Sequence, residues 1–182
     1  MSIIFTTERL TIRKFEPDDY NDLADILTDK AVTYFEPYET FTREACIQEA
    51  IDFSESEEFF AVVLSDKVIG KIYISQRKYG SYEIGYTFNA EYQGMGYAYE
   101  SVKGMIKYAF NDMKIRRIFA EINTRNFKSV NLAQRLGLRK EAEHIEVCPR
   151  KEDSSIYDSF YVYALLRKEF EKLQGDNNHG RN

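Results

Sequence analysis

The sequence predicts a mixed α/β fold, and the order of its apolar patterns is the basis of this prediction. Three apolar stretches, at residues 59–64, 68–74 and 82–88, follow one another through short polar turns, as in an antiparallel meander. A glycine-bearing turn and a helical pattern then lead to an alternating stretch at residues 116–123. Because a strand, a helix and a second strand in this order normally give parallel neighbours, the sheet is expected to be mixed.

One strand and two helices are predicted before the meander. Residues 10–15 alternate between apolar and polar side chains and predict the first strand. Pro17 suits the first turn of a helix that is expected to run to about Asp29. A second helix is predicted at residues 42–53, with Thr42 as its N-cap. Three of its residues are expected to face inward, namely Ala45, Ile47 and Ile51.

The segment between these helices, residues 34–38, reads Tyr-Phe-Glu-Pro-Tyr and forms a predicted aromatic loop. Such a loop can line the wall of an acceptor site, or it can lie on the surface with its rings tucked against the core. The sequence favours neither interpretation over the other.

A long helix, a short helix and further strands are expected after the meander. The long helix should end near Phe110, and a short helix at residues 126–136 should end at Gly137, a good C-cap. Strands are predicted near residues 138–147 and 156–166. Residues 175–182 are polar and glycine-bearing and are expected to form a disordered tail, so that residues 1–174 make up a single domain.

Composition and charge exclude several classes of protein. A formal net charge of −5 over 182 residues argues against broad electrostatic binding of nucleic acid. No run approaches the ~20 apolar residues of a membrane span, and the N-terminus lacks the layout of a signal peptide, so a cytoplasmic protein is expected. Cys46 and Cys148 lack metal-ligand spacing, so we expect reduced structural thiols and no metal site.

The turn at residues 93–98, Gln-Gly-Met-Gly-Tyr-Ala, is the most informative segment of the chain. A turn that opens a helix leaves several backbone N–H groups without partners beside the positive end of the helix dipole, which favours an anion. Gly94 and Gly96 lack a Cβ, so a pyrophosphate can approach the backbone closely. The alternative is an ordinary strand-to-helix turn. Neither a Walker loop nor the dinucleotide fingerprint fits this segment.

Four motifs, in order along the chain, resemble those of the GNAT superfamily of N-acetyltransferases. The turn at residues 93–98 resembles the acyl-coenzyme A pyrophosphate loop, and residues 123–138 look like the second motif, an Asn-x-x-Ser stretch opening a short helix that ends in Leu-Gly. Residues 7–13 and 158–165 resemble the Rim-type branch, which contains the ribosomal-protein N-terminal acetyltransferases. The resemblance runs to about Leu173 and implies a mostly antiparallel sheet with splayed parallel strands and flanking helices.

The resemblance also implies where acetyl-CoA binds. Thr87, Phe88 and Asn89 should run along the pantetheine arm. The pyrophosphate should be held by the backbone of Gln93, Gly94, Met95, Gly96, Tyr97 and Ala98. Asn126 is placed to bond the pantetheine, although the same side chain also suits a helix N-cap, and Lys128 and Arg135 could reach the adenosine or its 3′-phosphate.

Acetyl transfer to an amine needs a proton acceptor and a donor for the departing thiolate. Glu83 is the candidate base, with Glu121 or ordered water in reserve; the alternative for Glu83 is a charged residue on a solvent face. Many family members carry a Tyr in the second-motif helix as the acid, but this chain has Ala133, so Ser129 becomes the candidate donor. Direct attack in a ternary complex is expected because neither cysteine lies in a cofactor motif.

These inferences predict an acetyl-CoA-dependent N-acetyltransferase whose acceptor is a primary amine, either a protein N-terminus or a small amine. The alternative is a non-catalytic domain that binds acyl-CoA for regulation. A phosphotransferase would need a lysine in the phosphate loop and a metal-binding carboxylate pair, and neither is evident. No nucleic acid or membrane partner is expected, and a homodimer is possible through the strand at residues 157–166.

Overall fold

The computed structural model describes residues 2–179, which contain eight strands and five α-helices. The strands are β1 (Ile3–Thr6), β2 (Thr11–Lys14), β3 (Phe59–Leu64), β4 (Lys67–Gln76), β5 (Ser81–Phe88), β6 (Arg117–Asn123), β7 (Arg139–Pro149) and β8 (Tyr157–Leu166). The helices are α1 (Tyr20–Leu27), α2 (Ala45–Glu55), α3 (Tyr97–Asn111), α4 (Phe127–Arg135) and α5 (Arg167–His179). Short 3-10 turns lie at Pro17–Asp19, Lys78–Gly80 and Ala90–Tyr92.

The strands form one sheet in the order β1-β2-β3-β4-β5-β6-β8-β7. β1 to β4 pair antiparallel in succession, as do β6 with β8 and β8 with β7, whereas β5 and β6 are parallel. The predicted mixed α/β fold with a mostly antiparallel sheet is therefore confirmed. The parallel register joins Ser81–Glu83 to Arg117–Phe119, which is a short part of both strands.

The chain divides into two compact units. The first unit comprises the described residues of Met1–Ser75 and Ile84–Met105. The second comprises those of Gln76–Glu83 and Ile106–Asn182. The single acetyltransferase domain predicted for residues 1–174 stays a prediction.

The core of the first unit lies where α1 and α2 cover the sheet. The amphipathic α1 buries Leu23, Ala24, Ile26 and Leu27 completely, because its apolar residues fall on one face of the helix. These side chains cluster with Ala61, Val63 and Val68 of the neighbouring strands. Burial of a leucine or isoleucine side chain contributes about 1.5–3 kcal/mol, so this face is a main source of stability for the unit.

The inward face predicted for α2 was wrong. The helix buries Cys46, Ala50 and Phe53, whereas Ile47 is 48% exposed. The buried residues have the spacing i, i+4, i+7 of one helix face, whereas Ala45 and Ile47 are two positions apart and therefore point to different faces. The ring of Phe53 decides the orientation, since it stacks on Phe59 with ring centroids 4.1 Å apart. Helix α2 begins at Ala45, whose N–H donates to Thr42 Oγ1 over 3.2 Å, so Thr42 still supports the helix start.

Two elements were missed by the sequence patterns. Strand β1 is four residues long, too short to show a period, and pairs antiparallel with β2. Helix α5 continues to His179, past Gly175 where the disordered tail was expected to begin, and the last three residues of that tail, 180–182, lie outside the described residues. The carboxylate of Glu169 supports the start of α5 by accepting from the Leu166 N–H over 2.8 Å.

The second unit packs around the alternating face of β6. Ile118, Ala120 and Ile122 are buried, as the alternation predicted. Strand β8 is hydrogen-bonded to β6 on one side and to β7 on the other, so the expectation that it pairs across a dimer was wrong; the edge strands are β1 and β7.

A buried carboxylate joins β6, β8 and the segment before α4. Asp158 accepts from Asn123 Nδ2 and Arg125 Nη2, both over 2.8 Å, and from Arg150 Nε over 2.8 Å. Burial alone would raise the pKa of Asp158, but the hydrogen bonds from Arg125 and Asn123, with the nearby arginine charges, outweigh it and lower that pKa. The network therefore fixes the end of β6 from which α4 departs.

Candidate functional site

The glycine turn has the geometry that the sequence predicted. Gly94 and Gly96 both adopt left-handed backbone conformations, with φ of +79° and +85°, which side chains with a Cβ rarely tolerate. A Cβ on Gly94 would have no heavy atom within 4 Å, so the turn is open on that side. Helix α3 begins at Tyr97, directly after the turn, and the N–H groups of its first turn lack partners within the helix by geometry. The turn can therefore offer several donors to an anion.

The segment that leads into the turn is held by its own polar groups. Asn89 Oδ1 accepts from the Glu91 N–H over 2.9 Å and caps the 3-10 turn at Ala90–Tyr92. Gln93 Nε2 donates to the Phe88 carbonyl over 3.1 Å. Thr87, Phe88 and Asn89 are all buried, and the ring of Phe88 fills the space where Gly70 lacks a side chain. These contacts hold the segment from Thr87 to Ala98, which contains the residues predicted for the pantetheine arm and the pyrophosphate.

Two residues that sequence reasoning did not assign, Arg9 and Glu100, fasten this turn. Arg9 forms an ion pair with Glu100, with Nε and Oε2 2.7 Å apart. Its Nη1 donates to the carbonyl oxygen of Met95 over 3.2 Å, and its guanidinium lies 4.4 Å from the centroid of the Tyr97 ring. A Cβ on Gly96 would lie 3.4 Å from Arg9 Nη2. The available signal was the resemblance of residues 7–13, which marks the segment but gives no contact.

A buried polar cluster lies beside Thr87 and was also missed. Thr87 Oγ1 donates to Glu36 Oε1 over 2.9 Å. Lys71, on β4, is 4% exposed, and its Nζ lies 5.1 Å from the centroid of the Tyr38 ring and 5.7 Å from that of Phe59. The sequence signal was a lysine within the apolar stretch at residues 68–74. Tyr38 packs against the core of the first unit, and this supports a tucked position for that end of the aromatic loop, while Glu36 of the same loop contacts Thr87.

Burial governs the ionisation of this cluster. Desolvation lowers the pKa of Lys71, and the charges of Glu36 and Glu49 oppose that shift without cancelling it. Desolvation also raises the pKa of Tyr38, as does the charge of Glu36. The ammonium form of Lys71 is therefore disfavoured in the folded protein, and this residue costs stability at pH values where the unfolded chain carries the charge.

Lys71→Met is expected to stabilise the protein by about 1–3 kcal/mol near neutral pH. In the unfolded chain the Lys71 side chain has a pKa of about 10.4, so it binds a proton more readily there than in the folded chain. Stability therefore rises with pH between the lowered pKa and about 10.4, and the advantage of methionine should shrink over that range. Denaturant unfolding at about pH 7 and about pH 10 measures the effect. Lys107→Met, at an exposed position, is the control; a Lys71→Met variant less stable than the original protein at both pH values would contradict the argument.

The candidate base Glu83 lies in the second unit, on β5 opposite Phe119 of β6. Its side chain is 26% exposed and forms an ion pair with Arg77. Arg77 Nε and Nη2 contact the same oxygen, Glu83 Oε2, at 2.9 and 2.7 Å. Glu121, the reserve, is exposed on β6. Of the two carboxylates, Glu83 is the more enclosed.

Helix α4 carries the other predicted residues of the second unit. Asn126 is its N-cap, and its Oδ1 accepts from the Ser129 N–H over 3.2 Å, so the capping role is observed. Ala133 is buried, whereas Lys128 and Arg135 are exposed. These two cations are seven positions apart, about two helical turns, so they share one face of α4. Such a face suits an anionic group.

Among residues 2–179, no group of three or more acidic, histidine or cysteine side chains is arranged to hold a metal ion. The same residues include no helix that is long and apolar enough to cross a bilayer. Both cysteines are free thiols.

Comparison with known proteins gives a consistent result. The model of the acetyltransferase (GNAT) domain family matches residues 9–139. The uncharacterised N-acetyltransferase YnaD of Bacillus subtilis is 32% identical over 91% of this chain and 98% of its own length. A GNAT-family acetyltransferase from Bacillus anthracis superposes with a TM-score of 0.84 at 30% identity, over 93% of this chain and 100% of that one. RimL, a ribosomal L7/L12 alpha-N-protein acetyltransferase solved with coenzyme A, has the same fold at a TM-score of 0.79 and 17% identity, over 91% and 98% of the two chains.

Proposed function

Because the chain belongs to the GNAT acetyltransferase family and is an N-acetyltransferase, we propose that it uses acetyl-CoA to acetylate a primary amine by direct attack in a ternary complex. The observation that carries the proposal is the turn at Gly94 and Gly96, which is in left-handed conformation directly before α3 and is open at Gly94. Backbone donors at the start of a helix suit a diphosphate. The acceptor is a protein N-terminus or a small amine.

The proposal assigns each part of coenzyme A to particular residues. The backbone N–H groups of residues 93–98 hold the diphosphate, and the strand end at Thr87, Phe88 and Asn89 lies along the pantetheine. Asn126 retains its side-chain amide for a pantetheine contact while its Oδ1 caps α4. Lys128 and Arg135, on one exposed face of α4, reach the adenosine or its 3′-phosphate.

The proton steps fall to Glu83 and Ser129. Glu83 accepts the proton of the acceptor ammonium, directly or through water, and Oε1 is the oxygen that acts, since Arg77 contacts Oε2. The neutral amine then attacks the thioester carbonyl, the amide forms, and the thiolate of coenzyme A leaves. Ser129, at the start of α4, donates to that thiolate in place of the tyrosine whose position Ala133 occupies, and it regains a proton, through solvent, from the nitrogen that loses its second proton as the amide forms.

Features of the chain that bear on the acceptor support a cationic substrate. The net charge of −5 favours the approach of an amine, and residues 7–13 and 158–165 support the Rim-type branch, whose members include protein N-terminal acetyltransferases. RimL, a protein α-N-acetyltransferase by name, shares the fold.

We also propose that the protein is cytoplasmic. A homodimer would use the edge strand β7, where Ile145 and Val147 are exposed.

A second candidate is a domain that binds acyl-CoA for regulation without turnover. The buried Ala133 favours it, because an aliphatic side chain cannot donate a proton. Thiol release from acetyl-CoA, followed over time with a panel of peptides, polyamines and amino acids, separates the two. Binding of acetyl-CoA with no release above the acceptor-free rate for every amine would favour the regulatory domain.

Acetyl-CoA is expected to raise the melting temperature by about 5–10 °C at a concentration of ~100 times its Kd, because it binds the folded chain alone. ATP and NAD at the same concentration should leave the melting temperature unchanged, since the turn lacks the lysine and the third glycine of their motifs. Differential scanning fluorimetry measures all three. Equal stabilisation by ATP would contradict the assignment to coenzyme A.

A further inference from the structure

We propose that Arg9 is a positioning residue that sets the shape of the turn at residues 93–98 for the diphosphate of coenzyme A. This inference rests on the proposed function and adds a residue to which that function assigned no role. Arg9 lies outside the turn in sequence, yet its side chain contacts Met95 and lies over the Tyr97 ring.

The guanidinium is held rigidly from the other side by Glu100. Glu100 Oε1 accepts from Thr7 Oγ1 over 2.6 Å and from the Arg9 N–H over 2.8 Å, while Oε2 accepts from Arg9 Nε over 2.7 Å. Burial alone would raise the pKa of Glu100, but the hydrogen bonds from Thr7 and Arg9 outweigh it and lower that pKa. Glu100 therefore stays ionised, and both of its oxygens are committed to the segment that carries Arg9.

The contact with Met95 explains how Arg9 acts on the turn. Arg9 Nη1 donates to the Met95 carbonyl oxygen over 3.2 Å. That carbonyl and the N–H of Gly96 belong to one planar trans peptide, so the two groups point in opposite directions. Anchoring the carbonyl on the guanidinium thus turns the Gly96 N–H to the opposite side of the turn, where it can join the N–H groups that open α3.

The conformation of Gly96 fits this arrangement. A Cβ at Gly96 would lie 3.4 Å from Arg9 Nη2, at the lower limit of ordinary van der Waals contact, and the residue has a φ of +85°. Glycine therefore permits both the left-handed turn and the close approach of the guanidinium. A preorganised set of donors binds an anion more tightly than a mobile set, because less conformational entropy is lost on binding.

The test measures the binding of three probes to the full chain: coenzyme A, 3′-dephospho-coenzyme A and pantetheine, which lacks the diphosphate. Arg9→Gln is expected to weaken both diphosphate probes by the same factor, about tenfold or more, and to leave the Kd of pantetheine unchanged. Calorimetry serves the first two probes, and an NMR titration serves pantetheine. Glu100→Gln, which removes the ion pair that holds the guanidinium, should also weaken the two diphosphate probes selectively, but by a smaller factor.

Arg43→Gln is the matched control, since Arg43 also forms an exposed ion pair, with Asp25 at 3.0 Å, and its hydrogen bonds go to Asn21 and Asp25 of α1. It should bind all three probes like the original protein. A loss of affinity for pantetheine equal to that for coenzyme A would overturn the inference, as would a loss confined to the probe that carries the 3′-phosphate. An unaltered Arg9→Gln protein would overturn it too, whereas failure of the original protein to bind coenzyme A would instead refute the proposed function.

Should Arg9→Gln unfold, Arg9→Lys provides the same test. Lysine keeps the charge beside Glu100, but its single ammonium cannot pair with that carboxylate and also span to Met95 in the planar geometry of a guanidinium. We expect the lysine variant to fold and to show a selective loss for the diphosphate probes. Full affinity for them in the lysine variant would show that charge alone is required, and the positioning role would be wrong.

Discussion

Gly96→Val is expected to abolish acetyl-CoA binding, which corresponds to a loss of affinity of about 100-fold or more. Valine at a φ of +85° is strained by about 1–3 kcal/mol, so the chain would relax toward negative φ and rotate the adjoining peptides. A Cβ at this position already lies 3.4 Å from Arg9 Nη2, so the two γ-methyl groups of valine would crowd the guanidinium that anchors the Met95 carbonyl. Both effects turn the donor N–H groups away from a shared target. Calorimetric titration with acetyl-CoA measures the loss.

Gly80→Val is a matched control for strain alone. Gly80 also adopts a left-handed conformation, with a φ of +65°, and a Cβ there would meet no heavy atom within 4 Å. This variant should lose a similar amount of stability and keep its affinity for acetyl-CoA. If both variants bound acetyl-CoA normally, the anion site would lie elsewhere. Equal loss in both would mean that the Gly96 effect reports general destabilisation.

The structure changes the reason for this expectation. The sequence suggested that glycine at position 96 leaves room for a pyrophosphate to approach the backbone. The nearest group on the Cβ side of Gly96 is instead the guanidinium of Arg9, while the open side belongs to Gly94. Gly96 therefore serves the shape of the turn, and Gly94 is the position where a ligand can come close.

Local patterns were sufficient to predict strands β2 to β8 and the turn, because each depends on residues that are near one another in the chain. The apolar stretch at residues 82–88, the glycines of the turn and the helical period after it all lie within about 30 positions. Strand β5, the turn and helix α3 were found in that order. The same applies to α4, whose cap at Asn126 and end at Gly137 are local signals.

Contacts between distant segments could not be predicted in this way. Arg9 and Glu100 are 91 positions apart, and nothing in the spacing of either residue marks it as a partner of the other. The inward face of α2, in contrast, is marked by the helical period, since Cys46, Ala50 and Phe53 have the spacing of one face and the predicted Ala45 and Ile47 do not. The enclosure of Lys71 needed rings from the aromatic loop and from α2 and β3.

Glu83→Gln is expected to keep the affinity for acetyl-CoA and to lower kcat/KM by roughly 100-fold or more, the usual scale of general-base catalysis. Glutamine has the same shape and can still accept from Arg77, so the local structure should persist; it cannot take the proton of the acceptor. The defect should shrink as pH rises toward the pKa of the acceptor amine, because free amine then becomes abundant without the enzyme. The pH profile of kcat/KM measures both effects.

Two further variants separate a catalytic role for Glu83 from a structural one. Glu121→Gln, at an exposed position on β6, should leave the profile unchanged. Arg77→Gln removes the contacts to Oε2 but leaves the proposed acceptor oxygen, Oε1, so it should retain most of the activity that Glu83→Gln loses. A defect of the same size at every pH in the Glu83→Gln protein would mark Glu83 as a binding or packing residue. In that event the proton would be taken by Glu121 or by solvent. A change in the pH profile of kcat/KM in the Glu121→Gln protein would then indicate Glu121, and an unchanged profile would indicate solvent.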